Sequence, residues 1–345
     1  MTELLKLQEM RDCAQRLAAH VVHTPVVRLH SHRIQARVPE LKSIDLKLEL
    51  FQRTGTFKAR GALSAAMALD NAALKRGITA ASAGNHAIAT AFAADVMKCS
   101  AKIMVQASAN PVRLAATRRY GAEVIIAEDG PAAFAGAERL AREEGRTMIH
   151  PFDGPMTALG TAGVGLELIE QLPETDAVIV SIGGGGLAAG MGSAIKALKP
   201  SCRIYGVEPE GANAMQRSFA CGSAVRLERV LTIADSLGPP MTLDYSYGLC
   251  KAHLEDVVTV SDSELCLALS LMFHEAKLVV EPAGAAALAA LLGPLKSRLR
   301  GKRVALVVCG SNIDSEGFGR LLARGDALVR ADEKGGSVDG VFSYG

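Results

Sequence analysis

Lys58 has a sequence context that could make its amine a nucleophile. It lies in the segment GTFKARG (55–61), where it begins a predicted helix directly after a loop. The field at a helix amino terminus disfavours a protonated amine. With the apolar Phe57 beside it, we expect the pKa of Lys58 to be lowered and the uncharged, nucleophilic form to be favoured. Most lysines that begin a helix are simply solvated, so the neighbouring segments must decide between the two interpretations.

Four consecutive glycines follow the predicted strand 176–182 and precede a predicted helix. Without Cβ atoms, their backbone N–H groups can converge on an anion, which the dipole of the helix also attracts. This pattern predicts a phosphate cradle, and close packing of the helix on the sheet is the alternative. The glycines are Gly183, Gly184, Gly185 and Gly186.

The same stretch also matches a dinucleotide-binding fingerprint. The pattern is Gly184-x-Gly186-x-x-Ala189, and Glu208 ends the next predicted strand, where an acid that binds a ribose would stand. Taken alone, this match leaves a nicotinamide-dependent oxidoreductase open. It does not explain the other glycine- and serine-containing turns of the chain.

Two further turns follow predicted strands. SAGNH (82–86) begins a helix and could bind a substrate carboxylate through backbone N–H groups and the Ser82 hydroxyl. Alternatively, Ser82 is an N-cap, and Asn85 and His86 fill the first turn. CGSN (309–312) follows the last predicted strand. Because ligands of open α/β sheets bind at the carboxyl ends of strands, these turns predict a single site built from distant segments.

The elements that would position these turns alternate between short Val- and Ile-rich runs and longer Ala-rich stretches of helical period. Strands without alternation are buried on both faces, which predicts an α/β protein with open, doubly wound, mainly parallel sheets. An amphipathic helix is also expected within residues 1–20. The other helix candidates are 58–72, 86–97, 131–145 and 187–198, and the strand candidates are 43–50, 77–82, 101–106, 122–128, 176–182, 202–208 and 303–309.

Composition limits the function classes that need to be considered. The 345 residues are 49% apolar and 21% charged, with a formal net charge of +2, so nothing indicates a nucleic-acid or membrane partner. Seven cysteines without a C-x-x-C pair indicate reduced thiols rather than disulfides or a zinc site. We therefore expect a cytoplasmic enzyme that acts on a small molecule.

Seven segments in order resemble the fold-type-II pyridoxal-phosphate family, and most closely its threonine and serine dehydratases and serine racemases. They are TGTFKARGAL, SAGNHA, SIGGGGLAAG, GVEPEGA, TIAD, EPAGAAALAA and CGSNID. The resemblance covers residues 10 to 325 and implies a large domain (1–70 and 152–325), a small inserted domain (71–151) and a cleft between them. We expect a poorly ordered tail at 326–345. The resemblance also favours a homo-oligomer, since family members are commonly dimers or tetramers.

The resemblance assigns roles to individual residues. Lys58 would carry pyridoxal 5′-phosphate as a Schiff base and remove the Cα proton of the substrate. Phe57 would lie against the cofactor ring, Asn85 would bond its 3′-oxygen, and Cys309 would face the pyridine nitrogen. The phosphate would be bound by Gly183, Gly184, Gly185, Gly186 and Leu187, and the substrate carboxylate by Ser82, Ala83, Gly84, Asn85 and His86.

Some residues depart from the family pattern. The racemases have a second serine where this chain has Ala83, which cannot transfer a proton, so dehydration is favoured over racemisation. The thiol of Cys309 is a weaker donor than the serine often found there, which suits elimination. The divalent-metal site of the family would use Glu208, the carbonyl of Ala212 and an acid, but Ala214 stands in place of that acid. We therefore assign no metal and leave Glu208 and Ala212 as incomplete candidates.

Further departures concern the substrate side chain. The segment 159–163, Ser236 and the segment 245–247 differ from the family where the side chain should project. We therefore expect β-elimination of a serine- or threonine-like 3-hydroxy-amino acid, with 3-phenylserine among the options, to a 2-oxo acid and ammonia. β-Replacement or racemisation on the same fold, and the less favoured nicotinamide-dependent oxidoreductase, remain the alternatives.

Overall fold

The computed structural model describes residues 2–334, which form ten strands and fourteen α-helices. The strands are β1 (Val26–Arg28), β2 (Ser43–Lys47), β3 (Ile78–Ala81), β4 (Ala101–Gln106), β5 (Glu123–Ala127), β6 (Thr147–Met148), β7 (Ala177–Ser181), β8 (Arg203–Pro209), β9 (Asp256–Val260) and β10 (Arg303–Val307). The helices are α1 (Leu7–Leu17), α2 (His32–Arg37), α3 (Lys58–Met67), α4 (Asn71–Arg76), α5 (Asn85–Met97), α6 (Pro111–Arg119), α7 (Gly130–Glu144), α8 (Pro155–Gln171), α9 (Gly186–Leu198), α10 (Ala214–Cys221), α11 (Asp244–His253), α12 (Asp262–Ala276), α13 (Pro282–Leu292) and α14 (Ser315–Glu333).

The strands form two sheets. The larger has the order β1-β2-β10-β7-β8-β9, in which only the β1–β2 pair is antiparallel. The smaller has the order β5-β4-β3-β6 and is entirely parallel. The fold is therefore the α/β class with mainly parallel sheets that the sequence predicts.

The two sheets divide the chain as the sequence suggests. All four strands of the smaller sheet lie between residues 78 and 148, whereas the larger sheet uses strands before and after this stretch. This arrangement supports a small domain inserted at 71–151, and the exact domain limits stay a prediction. Each sheet has its own apolar core, and α13 packs on the larger sheet while α5 and α7 pack on the smaller.

Helices α8 and α9 are pressed together, and this fixes the start of α9. A Cβ atom on Gly190 would lie 2.0 Å from the carbonyl oxygen of Ala158, so only glycine allows this approach. At the first residue of α9, which is the last glycine of the tetraglycine turn, the Thr161 hydroxyl donates to the Gly186 carbonyl at 2.8 Å. The position of the glycine turn is thus set by α8 as well as by β7.

Two sequence predictions of order need comment. The predicted helix 58–72 is two helices, because Asp70 caps α4 by accepting the N–H of Ala73 at 2.7 Å. The predicted disorder after residue 325 is wrong for 326–333, which complete α14 and bury Leu328 and Val329. Residues 335–345 lie outside the described residues. Within 2–334, no helix is long and apolar enough to cross a membrane.

Candidate active-site cleft

A cleft at the carboxyl ends of the larger sheet brings together all of the predicted cofactor residues. Phe57, Lys58, Asn85, the glycines 183–186, Leu187 and Cys309 all line it. Ser82, Ala83 and Gly84 lie on the turn that leads to Asn85 and are partly buried, outside the lining. The remaining lining residues are Phe152, Ser181, Ser236, Leu237, Pro239, Glu281 and Ala283.

Lys58 is held at the cleft by a tight turn that precedes α3. Thr54 and Gly55 both have positive φ, at 69° and 75°. A Cβ atom on Gly55 would lie 2.5 Å from the side-chain oxygen of Asn312, so glycine is required where the turn meets the 309–312 segment. The hydroxyl of Thr56 then accepts the N–H of Lys58 at 3.3 Å, and α3 begins.

A buried group of charged side chains anchors the same helix from behind. Arg60 donates to Glu49 at 2.9 Å and to Glu167 at 2.7 Å, and Lys47 donates to Glu167 at 2.6 Å. Because each buried charge is paired, removing one partner would leave another uncompensated. This charged group ties β2, α3 and α8 together and fixes the helix that carries Lys58.

The Lys58 amine has the electrostatic character that the sequence predicts. Burial lowers its pKa to about 8, and the Cys309 thiol and the Glu281 carboxyl act weakly against that shift. Its Nζ donates to the carbonyl of Pro151 and lies 5.2 Å from the centre of the Phe57 ring. A much larger fraction of this amine than of a solvated lysine is therefore uncharged near neutral pH and available as a nucleophile.

The tetraglycine turn presents free amide donors to the cleft. In the described part of the chain, the N–H groups of Gly183 to Gly186 have no hydrogen-bond acceptor, and α9 starts at Gly186. Phe152 packs against the turn so closely that a Cβ atom on Gly184 would lie 2.1 Å from its ring. Unsatisfied N–H groups at a helix amino terminus form a site for an anion such as a phosphate.

A second set of amides lies at the start of α5. Ser82 is not the N-cap, because its hydroxyl accepts the N–H of Gly84 at 3.2 Å and Gly84 itself precedes the helix. The N–H groups of Asn85 and His86 have no acceptor among residues 2–334. This first turn can therefore bind a carboxylate through its backbone.

The imidazole of His86 faces away from the main cleft. Its Nε2 is 2.8 Å from the carbonyl oxygen of Ile149, so the ring donates there as a neutral imidazole. Burial, together with the nearby Lys58, lowers the pKa of His86 to about 3. His86 borders a smaller cavity behind Lys58 that His150 also lines. Its contribution to a substrate site would come from its backbone.

Glu281 is a cleft residue that the sequence interpretation gives no role, although it stands in the quoted segment EPAGAAALAA. Its Oε1 accepts the side-chain N–H of Asn85 at 2.8 Å, and the Asn312 side chain donates to Oδ1 of Asn85 at 2.8 Å. Its other oxygen, Oε2, is buried without a hydrogen bond, 3.6 Å from the guanidinium of Arg113. The amide of Asn85 also contacts the Ser236 hydroxyl at 3.2 Å. These contacts fix the orientation of Asn85.

Ser181 is a further residue that was missed. It ends β7, lines the cleft, and its buried hydroxyl makes no hydrogen bond of normal geometry in the described residues. Burial raises the pKa of the neighbouring Cys309 thiol to about 12, so that group remains protonated. A buried hydroxyl whose one polar neighbour is the Cys309 thiol, a weak hydrogen-bonding group, leaves polar capacity for a bound molecule. The strand-ending serine was the available sequence signal.

The positions expected near the substrate side chain stay a prediction, and only some of them line the cleft. Ser236 lines the cleft, but Tyr245, Tyr247 and Leu159 do not. Tyr247 stacks edge-on against Phe219, and Leu159 lies in the core around the smaller sheet. The apolar rim is made instead by Phe152, Leu237 and Pro239, which sequence spacing does not bring together.

Glu208 is not available to a ribose or a metal ion. It is fully buried, and its two carboxylate oxygens accept the backbone N–H groups of Met215 and Gln216. The acidic residue that the dinucleotide interpretation requires is therefore already used inside the protein. This removes the specific support for a nicotinamide site.

The raised pKa of Glu281 predicts a pH dependence of stability. Burial raises it to about 7, so the ionised form is disfavoured in the folded protein and stability is lost as pH rises from the unfolded pKa towards 7. As the pH rises from about 5 to about 8, we expect the unfolding free energy of Glu281→Gln to increase relative to that of the parent by on the order of 1–3 kcal/mol.

Denaturant unfolding of the cofactor-free proteins at both pH values measures this difference. Glu143→Gln, which changes an exposed carboxyl, is the control and should follow the parent. An unchanged pH dependence in Glu281→Gln would show that Glu281 is ionised throughout.

Comparison with known proteins gives a consistent result. Residues 17–310 match the family model described as pyridoxal-phosphate dependent enzyme. The chain is 50% identical over 283 residues to the phenylserine dehydratase of Ralstonia pickettii, covering 82% of this chain and 87% of that protein. It is 37% identical to an L-threo-3-hydroxyaspartate ammonia-lyase of Pseudomonas sp, and the match covers 93% of this chain and 99% of that protein. The structure of maize serine racemase superposes with a TM-score of 0.87 at 31% identity, covering 96% of this chain and 99% of that one.

Proposed function

Because this chain belongs to the pyridoxal-phosphate-dependent enzyme family, we propose that it dehydrates 3-hydroxy-amino acids and prefers an aromatic substrate of the 3-phenylserine class. The observation that carries the proposal is the 50% identity to a phenylserine dehydratase across most of both chains. The apolar rim of Phe152, Leu237 and Pro239 supports the aromatic preference.

The cleft fits the cofactor. The free amides of Gly183 to Gly186 would hold its phosphate, Asn85 would contact its ring oxygen, and Ser181 and Cys309 would lie on the same wall. Lys58 would supply the amine that attaches the cofactor to the protein. When bound, pyridoxal phosphate supplies an electron sink that acidifies the α-hydrogen of the substrate.

Residues of the chain bind the substrate and move its protons. The backbone amides at the start of α5 bind the substrate carboxylate, and the Lys58 amine removes the Cα proton. Loss of this proton and the β-hydroxyl as water gives an enamine, which tautomerises and is hydrolysed to a 2-oxo acid and ammonia. Burial of Lys58 keeps a fraction of its amine unprotonated for this step.

The cleft also argues against an acidic substrate side chain. Lys58 is the only basic residue among those that line it, and Arg113 outside it is paired with Asp235 and close to Glu281. A hydroxyaspartate side chain would therefore lack a cation of its own. We further propose the cytoplasm as the compartment, because all seven cysteines are free thiols.

A substrate panel tests the proposal. Purified protein is given L-serine, L-threonine, 3-hydroxyaspartate and L-threo-3-phenylserine, and release of 2-oxo acid and ammonia is measured. We expect the highest kcat/KM with 3-phenylserine. A preference for serine or threonine would overturn the aromatic assignment but keep the dehydratase, whereas no release from any of them would overturn both. Stimulation by sulfide would favour β-replacement.

Ala83 predicts the balance between dehydration and racemisation. A serine at this position would supply a second proton carrier, worth on the order of 100-fold in the rate of proton transfer. We therefore expect Ala83→Ser to racemise L-serine about 100-fold faster than the parent, measured by chiral chromatography. Ala283→Ser, which adds a hydroxyl on another wall of the cleft, is the control. Dehydration without any gain in racemisation would contradict this role.

A further inference from the structure

Glu208 caps a helix that lies under the tetraglycine turn. Its Oε1 accepts the N–H of Met215 at 2.9 Å, and its Oε2 accepts the N–H of Gln216 at 2.8 Å. Both amides belong to the first turn of α10, whose own N-cap residue, Asn213, makes no side-chain capping hydrogen bond. The carboxyl group of Glu208 thus satisfies two amides of this helix, and these two hydrogen bonds oppose the rise that burial causes in its pKa.

The donor set around Glu208 does not fit a divalent cation. Such an ion takes roughly six oxygen ligands or more, but both oxygens of Glu208 are occupied and Ala214 presents a buried methyl group. Across residues 2–334, no group of three or more acidic, histidine or cysteine side chains could hold a metal. The described residues therefore do not form the metal site that the family resemblance implies.

The capped turn of α10 contacts the proposed phosphate site directly. Gly185 has φ +104°, and a Cβ atom there would lie 2.6 Å from Met215 Cε. Met215 is fully buried, so it cannot move without opening the core. The Cys250 thiol also donates to the Gly185 carbonyl at 3.6 Å, from α11. Gly185 is thus supported from below by α10 and α11.

We propose that Glu208 is a positioning residue for the cofactor phosphate. By capping α10 it holds Met215 under Gly185, and this keeps the amides of the tetraglycine turn in their anion-binding arrangement. Its carboxylate stabilises this region directly, without a divalent cation. The proposal concerns binding of the cofactor and is independent of the substrate proposed above.

The first test is the affinity for pyridoxal phosphate, measured by equilibrium dialysis. Glutamine in place of Glu208 can accept one amide but presents an NH₂ group to the other. We expect Glu208→Gln to raise the Kd for pyridoxal phosphate by about tenfold. Glu210→Gln changes an exposed carboxyl two residues further on and should leave the Kd unchanged. A folded Glu208→Gln variant with the Kd of the parent would overturn the proposal, even if its Tm were lower.

The second test needs no variant. The Tm of the holoenzyme and its Kd for pyridoxal phosphate are measured after treatment with EDTA, and again after addition of Mg²⁺, Ca²⁺ or Mn²⁺. We expect neither quantity to change. A loss of affinity on chelation that a cation restores would mean that an ion, not the Glu208 cap, maintains the turn. Neither test uses a substrate, so failure here is distinguishable from failure of the dehydratase assignment.

Discussion

Replacing Lys58 with alanine should lower turnover of every 3-hydroxy-amino acid by at least about 10⁴-fold. The variant loses the amine that holds the cofactor covalently and the base that removes the Cα proton. We expect the protein to remain folded, because Lys58 is partly buried and, among residues 2–334, its Nζ donates a hydrogen bond only to the Pro151 carbonyl. The tetraglycine turn should still bind the cofactor phosphate non-covalently.

Product release, far-ultraviolet circular dichroism and the cofactor content of the purified variant measure these effects. Lys75→Ala removes an exposed lysine at the end of α4 and is the matched control, with unchanged turnover. Retained activity in Lys58→Ala, with one cofactor per chain, would show that another group performs both tasks.

Gly186→Ala should lower the affinity for pyridoxal phosphate on the order of 100-fold. The added Cβ atom would lie 2.3 Å from the carbonyl oxygen of Phe152 and 2.9 Å from its Cα. These are backbone atoms, so the glycine turn or the 151–153 segment must shift. Such overpacking costs about 1–3 kcal/mol, and each 1.4 kcal/mol that falls on the bound state is tenfold in affinity.

Titration with pyridoxal phosphate and thermal unfolding measure the two consequences separately. Gly319→Ala is the control, because a Cβ atom there meets nothing within 4 Å and the residue lies inside α14. It should gain slightly in stability and keep its cofactor affinity. An unchanged Kd in Gly186→Ala would mean that the turn does not determine phosphate binding.

The main elements of the larger sheet could be predicted because their strands are continuous buried runs. Ala177–Ser181 and Arg303–Val307 are rich in Val and Ile and lie inside the sheet, where both faces need apolar residues. The strand Val26–Arg28 was not predicted, because it is three residues long and pairs at an edge. This strand forms by pairing with β2, and the sequence of residues 26–28 alone does not indicate that pairing.

The site itself was predictable only where a residue stands in a distinctive segment. A lysine at a helix start is usually solvated, so Lys58 could be named because its segment resembles the family, whereas the run Gly183–Gly186 indicates an anion site by itself. Glu281 and Ser181 could not be named, since an acid before a proline and a serine at a strand end are common everywhere. What distinguishes these two side chains is that they are buried and that each has an oxygen without a hydrogen bond of normal geometry. This situation arises only when distant segments of the chain come together.

The pairing of β2 with β10 bears on how the protein emerges from the ribosome. β2 pairs with β1 on one side and with β10 on the other. β10 lies more than 250 residues later in the chain than β2. The last strand of the smaller sheet ends at residue 148, so this sheet can form before β10 has been synthesised. Until then Ile44 and Leu46 of β2, which are buried in the folded protein, remain exposed. Cys309 arrives later still, so the nascent chain cannot complete a cofactor site until nearly all of it has been synthesised. Productive synthesis therefore depends on protecting the early apolar strands from aggregation, in the cell or in an expression host.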